Sequence, residues 1–572
     1  MKNIIIWFIF LNVTLAPIHS VLAHEFAATD PNIILYYIAN SWKSLERSME
    51  DCNSFSDPKT NLNPILYFPA DAVIPETVKY WTERCHLVVK RLPQKINKLG
   101  EVNGDNIKPA GLLYLPNPYI VPGGMFNEMY GWDSYFIVRG LIEAHKNELA
   151  RGIVENFFYE IDHYGGTLNG NRTYYLSRTQ LPFLAPLIRA VYTADQTQHH
   201  QNLKWLQSAY HYAVKDYNLW THEPHLAGKT GLSRYYDFGS GPVSELAQSK
   251  SYYSDIIRYF LEHPKISQPY LFFLAKDQPE HLQSAKIVYT ITLCSTPTLK
   301  HNKKYNVCKV VKNVGLSEHF YKGDRAMRAS GFDTSFRFGP FSADTLNYAP
   351  VDLNSLLYKT EKDLEWMSNQ LGNKRLAIYW AKQAERRALR INRYLWNEKQ
   401  GMFFDYDYIN KKASPHPYAT TFYPLWAKLA TKSQAKRLAK NLKFFEKAGG
   451  IVTSLQHTGV QWDYPYGWAP IQLITTEGLT HYGFKPEAER IAHKFLTTVL
   501  QNYLRDKTIR EKYNVVSGTA LTDIQIGYKM NVIGFGWTNG VFLTLLKSLP
   551  KSIAKNQLGL NQDFTMYDTA ST

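Results

Sequence analysis

Residues Val121 to Phe136 read VPGGMFNEMYGWDSYF, and the rest of the chain is organised around them. Pro122-Gly123-Gly124 is a sharp turn that ends any regular element. Behind it come five aromatics and two acids, Glu128 and Asp133. Flat apolar faces beside carboxylates suit a polar, ring-shaped ligand such as a sugar. An aromatic corner of the core beneath a turn would use the same residues, because buried aromatics dominate ordinary cores too. The stretch alone leaves these two readings even.

Outward from it, the chain is mostly helical in pattern. Val138, Leu141, Ile142, Leu149, Ile153 and Phe157 recur at three-to-four-residue spacing, as do Leu203, Leu206, Tyr210, Val214 and Tyr217. The same period returns over Leu353–Leu371, Leu376–Leu395, Ala435–Phe445 and Ile491–Val499, with Pro486 placed where a first helical turn tolerates it. Strand-like runs are few; Gly401–Tyr408 is the best, and Ile287–Cys294 leans the same way. Many helices of similar length, joined by Gly- and aromatic-rich loops, fit an α/α toroid, and periodicity alone permits an α-solenoid equally.

The chain has 572 residues, 45% hydrophobic and 20% charged, which describes a globular protein with ample core. A formal net charge of +16 raises the question of nucleic acid. Lys and Arg are scattered among acids with no long basic run, so the charge reads as surface bias and no nucleic-acid partner is expected. At the N-terminus Lys2 precedes an apolar run, Ile4 to Leu15, and Val21-Leu22-Ala23 offers a small-residue cleavage site. That layout predicts a signal peptide over residues 1–23, no stable membrane insertion after its removal, and a periplasmic or secreted protein. Cys52, Cys85, Cys294 and Cys308 fit an oxidising compartment and allow three pairings. Spacing does not choose among them; the sequence-local one, Cys52–Cys85 with Cys294–Cys308, is the expectation. They match no zinc pattern, and neither metal nor cofactor is expected.

PGGMFNEMYGWDSY resembles the first signature of the trehalases, inverting glycoside hydrolases that split trehalose into two glucoses. QWDYPYGWAP (Gln461 to Pro470) resembles their second. Asn169–Gln180 (NGNRTYYLSRTQ), Val351–Lys359, Glu511–Asn514 (EKYN) and Gly534–Gly540 (GFGWTNG) are further echoes in family order, and Asp57-Pro58-Lys59-Thr60 is similar to an N-terminal family motif. The resemblance implies an all-α (α/α)6 barrel with functional loops at one end. It also implies one catalytic domain over 24–572, a monomer acting on the disaccharide trehalose. The segment from about Ile256 to Tyr321 has no counterpart in it and reads as an insertion.

Inverting hydrolysis uses a protonated carboxyl as acid and an ionised one as base, roughly 6.5–9.5 Å apart so that a water fits. RASGFDTSFRFG resembles the family's acid motif, with Phe332 for its Trp, which makes Asp333 the acid; apolar neighbours favour the protonated form. Glu511 matches the base, with Lys512 and Arg510 beside it to hold a carboxylate ionised. Read locally, Asp333 is equally a helix-capping residue and Glu511 an exposed member of a charged run. Trp132, Asp133, Asn169, Arg178, Glu245, Trp462 and Trp537 match sugar-holding positions, while Trp468 reads as core.

Three departures stand out. Met125 replaces an arginine, Val243-Ser244-Glu245 keeps the acid of an Arg-Pro-Glu step but not its arginine, and Thr519–Ile533 replaces a Gly-rich lid bearing a Glu. Losing charged partners typically costs several kcal/mol of binding. They imply altered specificity for another α-glucoside, a catalytically weak sugar-binding protein, or replacement by a nearby cation such as Arg139, Arg234 or Lys529.

Overall fold

The computed structural model describes residues 30–567, except 60–63, 198–202, 247–250, 275–286, 295–297, 301–302 and 306–307. The expected signal peptide therefore lies outside the described residues. Among them, no helix is long and apolar enough to cross a membrane.

Six helices touch in a closed cycle. Gly131–Glu143 packs on Leu184–Thr197, which packs on Val351–Gln370, then Tyr423–Trp426, then Ala469–His481, then Gly536–Ser548, which returns to the first. At that return the two helices approach through glycine. A Cβ on Gly140 would fall 2.3 Å from the Cα of Gly540, so neither position accepts a larger residue without separating the pair. Other helices lie against this ring: Asn147–His163, Leu203–Trp220, Lys374–Tyr394 and Lys485–Asp506.

The expected helices appear near their predicted bounds, with one break. The apolar period from Val138 to Phe157 spans two helices, because the chain turns at Ala144–Lys146, where His145 takes a left-handed φ of 58°. An all-α description needs correction, since short sheets accompany the helices. Ile65–Phe68 pairs in parallel with Val88–Arg91 and Leu112–Leu113. Gly401–Tyr408 supplies two short strands, Met402–Phe403 and Tyr406–Asp407.

The segment expected as an insertion contains the helix Tyr252–Glu262 and a three-stranded antiparallel sheet. Its middle strand, Cys308–Leu316, lies between Leu271–Phe273 and Tyr289–Cys294. Apolar faces of that helix and sheet bury Ile256, Ile257, Phe260, Ile291 and Val314 in a second, smaller core. Phe320, Phe341 and Val460 join it from the segments flanking Asp333 and Trp462. Both disulfides form in the sequence-local pairing, Cys52–Cys85 and Cys294–Cys308.

Candidate active site

Some of the motif residues sit where ring helices begin. Trp132 and Asp133 lie in the first turn of Gly131–Glu143, and Trp537 in that of Gly536–Ser548. Gly123 and Gly124, at φ 125° and 57°, turn the preceding chain beneath these helix starts, where the Pro122 carbonyl accepts the Gly536 N–H at 2.7 Å. All nine residues singled out in the sequence line one cavity of about 140 Å³: Trp132, Asp133, Asn169, Arg178, Glu245, Asp333, Trp462, Glu511 and Trp537.

Four indoles form its apolar wall. Trp462 stacks on Trp468 with centroids 3.9 Å apart and planes at 4°, and Trp132 meets both Trp462 and Trp537. Trp468, expected as core, thus lines the cavity as well. Opposite them Arg178 is almost fully buried. Its Nε donates to Asn169 Oδ1 at 2.6 Å, Nη1 to Asp237 at 3.4 Å and Nη2 to Glu245. The guanidinium also lies over the Tyr175 ring. Burial alone would push Glu245 up, but Arg178 holds its carboxyl below the usual range.

Glu511 is buried, not part of an exposed charged run. Its backbone pairs with the Val532 carbonyl and its carbonyl accepts the Trp537 indole N–H at 3.2 Å. Lys512, itself buried, places Nζ 2.6 Å from Glu511 Oε2. Burial pushes the Glu511 carboxyl up and this ammonium opposes the rise. Arg510, the other expected cation, turns away to the Asn531 carbonyl.

Asp333 opens onto the cavity with 36% of its side chain exposed. Surrounding protein mass pushes its carboxyl up to about 6, against the pull of Arg328 and Arg178. Gln461 donates its side-chain amide to the Asp333 carbonyl and the Trp462 N–H donates to Thr334, tying the two motif loops together. Asp133 is pushed well above the carboxylate range, first by burial, then by Glu511 and Asp333. A cavity holding three raised carboxyls, a fixed guanidinium and flat indoles can bind a polyhydroxylated ring and move protons on it.

None of the suggested replacement cations reaches this cavity. Arg139 is paired with Glu477 at 2.7 Å, Arg234 with the Pro224 and Leu346 carbonyls, and Lys529 is exposed. Two other cations do reach it, Arg328 and Lys59. Lys59 spends its ammonium on both oxygens of Glu128 at 2.7 Å, whereas Arg328 points Nη1 at Asp333 Oδ2, 3.4 Å away. Sequence reading missed Arg328 although it is the first residue of RASGFD. Tyr528 was also missed. It lies in the run that replaces the lid and lines the cavity together with Glu511.

The family model for trehalase matches residues 42–550. The chain belongs to the trehalase family. It is 33% identical to the cytosolic neutral trehalase of Kluyveromyces lactis over 91% of this chain and 71% of that one. A probable trehalase of Saccharomyces cerevisiae is 35% identical over 75% of this chain and 54% of its own length. The solved structure of the neutral trehalase of S. cerevisiae superposes with a TM-score of 0.73 at 31% identity, covering 93% of this chain and 96% of that one. These relatives make the chain a trehalase-like glycoside hydrolase. They also correct the expected periplasmic or secreted location, because those from K. lactis and S. cerevisiae are cytosolic by name. That expectation rested on a short apolar run outside the described residues. Among the described residues, no three His, Cys, Asp or Glu side chains are grouped to hold a metal ion.

Proposed function

We propose that this trehalase-family chain hydrolyses α,α-trehalose to two glucoses with inversion, on a single (α/α)6 toroidal catalytic domain in which residues 256–321 are an insertion. The closed cycle of six helices supports that architecture. Every residue assigned to the reaction lies on this one chain. Asp333 gives its proton to the glycosidic oxygen as the C1–O bond breaks. Glu511 takes a proton from the water that attacks C1 from the other face, so the attacked glucose is released as the β anomer and the leaving glucose as the α anomer. Asn169, Arg178, Glu245 and Asp133 bind hydroxyls, and Trp132, Trp462 and Trp537 pack on the ring faces.

The observation that carries this reading is the asymmetry of the two carboxyls on one cavity: Asp333 pushed up to about 6, Glu511 held by a lysine at 2.6 Å. A second reading, the same chemistry on another α-glucoside, is favoured by Met125, Phe126, Leu246 and Tyr528, which make part of the lining apolar or uncharged. Purified protein incubated with trehalose and a panel of α-linked disaccharides, with anomers followed by proton NMR, tests both. Trehalose turned over fastest, with β-glucose formed first in step with α-glucose, is the expected result. A faster substrate in the panel favours the second reading. No turnover of any sugar overturns the enzymatic role and leaves a sugar-binding protein.

A further inference from the structure

Tyr252 and Tyr253 begin the helix Tyr252–Glu262, at the edge of the second core, and neither lines the sugar cavity. Both are buried, and both hydroxyls donate to the same carboxylate, that of Asp324, Tyr252 to Oδ1 at 3.0 Å and Tyr253 to Oδ2 at 3.1 Å. Asp324 is wholly buried and is clasped by one edge of Arg328, through Nε at 3.3 Å and Nη2 at 3.2 Å. The remaining nitrogen, Nη1, reaches Asp333 Oδ2. The Tyr252 ring faces the guanidinium at 5.3 Å, and its hydroxyl lies 3.4 Å from Thr334 Oγ1, next to the acid. Tyr253 also accepts the Val243 N–H at 3.1 Å, in the loop that carries Glu245.

We propose that Tyr252, Tyr253 and Asp324 are positioning residues for the general acid, fixing Arg328 so that one nitrogen faces Asp333 while its charge is largely taken up by Asp324. The proposal rests on Asp333 being that acid. An arginine free to pair with a carboxyl lowers its pKa by roughly 1–3 units, which would leave the acid without its proton near neutrality. With Nε and Nη2 committed to Asp324, the guanidinium is turned so that only Nη1, at a long 3.4 Å, touches the acid. Other groups facing Asp333 are Arg178, Glu245, Asp133 and Tyr528. Among the described residues Arg328 is the cation that pairs with it within 4 Å. The second core thereby gains a function: through two hydroxyls, it sets the charge that the acid feels.

The test is the pH profile of kcat/KM for Asp324→Asn and for the double variant Tyr252→Phe with Tyr253→Phe. Asp324→Asn leaves Arg328 uncompensated, so Asp333 loses its proton sooner and the alkaline limb falls by about 1 pH unit. The double variant removes two hydrogen bonds that share the Asp324 charge. Asp324 is then placed less firmly, its hold on Arg328 loosens, and the limb falls in the same direction by a smaller amount, roughly 0.3 unit. A packing role alone would change stability or the height of the profile and leave the limbs in place. An infrared titration of the carboxyl band that vanishes in Asp333→Asn gives the same shifts without turnover. If the wild type fails on trehalose, the functional reading falls and the infrared shifts still decide the relay. Limbs and band positions unchanged in both variants, or shifted to higher pH in either, overturn it. The double variant keeps both rings, so it remains a test if Asp324→Asn fails to fold.

Discussion

Asp333 and Glu511 face one cavity from opposite sides of the chain's order, and the protein treats them differently. Glu511 is 5% exposed with a buried ammonium 2.6 Å away, so its charge is matched at short range. Asp333 is 36% exposed, and its one close cation stands off at 3.4 Å with two of its nitrogens committed elsewhere. Burial raises both carboxyls; only for Glu511 is the rise opposed by a dedicated ion pair. The carboxyl proposed as base is thus the one with a cation to itself, and the carboxyl proposed as acid is the one whose cation is shared.

The severest way to break this contrast is to remove either member. Asp333→Asn and Glu511→Gln should each lower kcat on trehalose by about 10³-fold or more, since general acid–base groups contribute roughly 10²–10⁴-fold each. Glucose release measured beside circular dichroism checks it, and a folded variant retaining a tenth of wild-type activity removes that residue from its role. A smaller effect should follow from Lys512→Met, which makes Glu511 resemble Asp333. Without the ammonium, buried Glu511 keeps its proton to higher pH. The acidic limb of kcat/KM should then rise by about 1 pH unit while the alkaline limb, set by Asp333, stays. Movement of the alkaline limb instead would exchange the two assignments.

Much of this was legible in the sequence, for reasons that differ by region. Outer helices such as Lys374–Tyr394 bury one stripe, Ala377, Trp380, Ala384 and Ile391, so their period shows. Gly536–Ser548 is buried continuously from Gly536 to Leu546, and a helix apolar all round has no period to find. Ala469–His481 was missed likewise. The motif residues were found because they lie in short contiguous signatures, with Trp132, Asp133 and Trp537 in the first turn of a ring helix. Tyr252, Tyr253 and Asp324 were not, because their contacts join residues more than seventy positions apart and no local pattern marks them.

The mildest consequence of the contrast concerns stability. A carboxyl whose folded-state pKa lies near 6 binds its proton more tightly folded than unfolded, where the value is near 4. Between those values the native state holds more protons, so raising the pH through this window reduces stability, opposite to the effect of a salt-bridged aspartate. Above pH 6 wild-type Asp333 is a partly desolvated anion, and Asp333→Asn, which cannot ionise, should be the more stable protein. Because a third of the side chain meets solvent, the gain stays below about 1 kcal/mol after screening. Thermal melts of both proteins should show the variant ahead at pH 7 and the lead shrinking to nothing as the pH approaches 4. A lead that persists at pH 4 would mean that the asparagine packs better, and a lead that never appears would mean that Arg328 already compensates the anion in full.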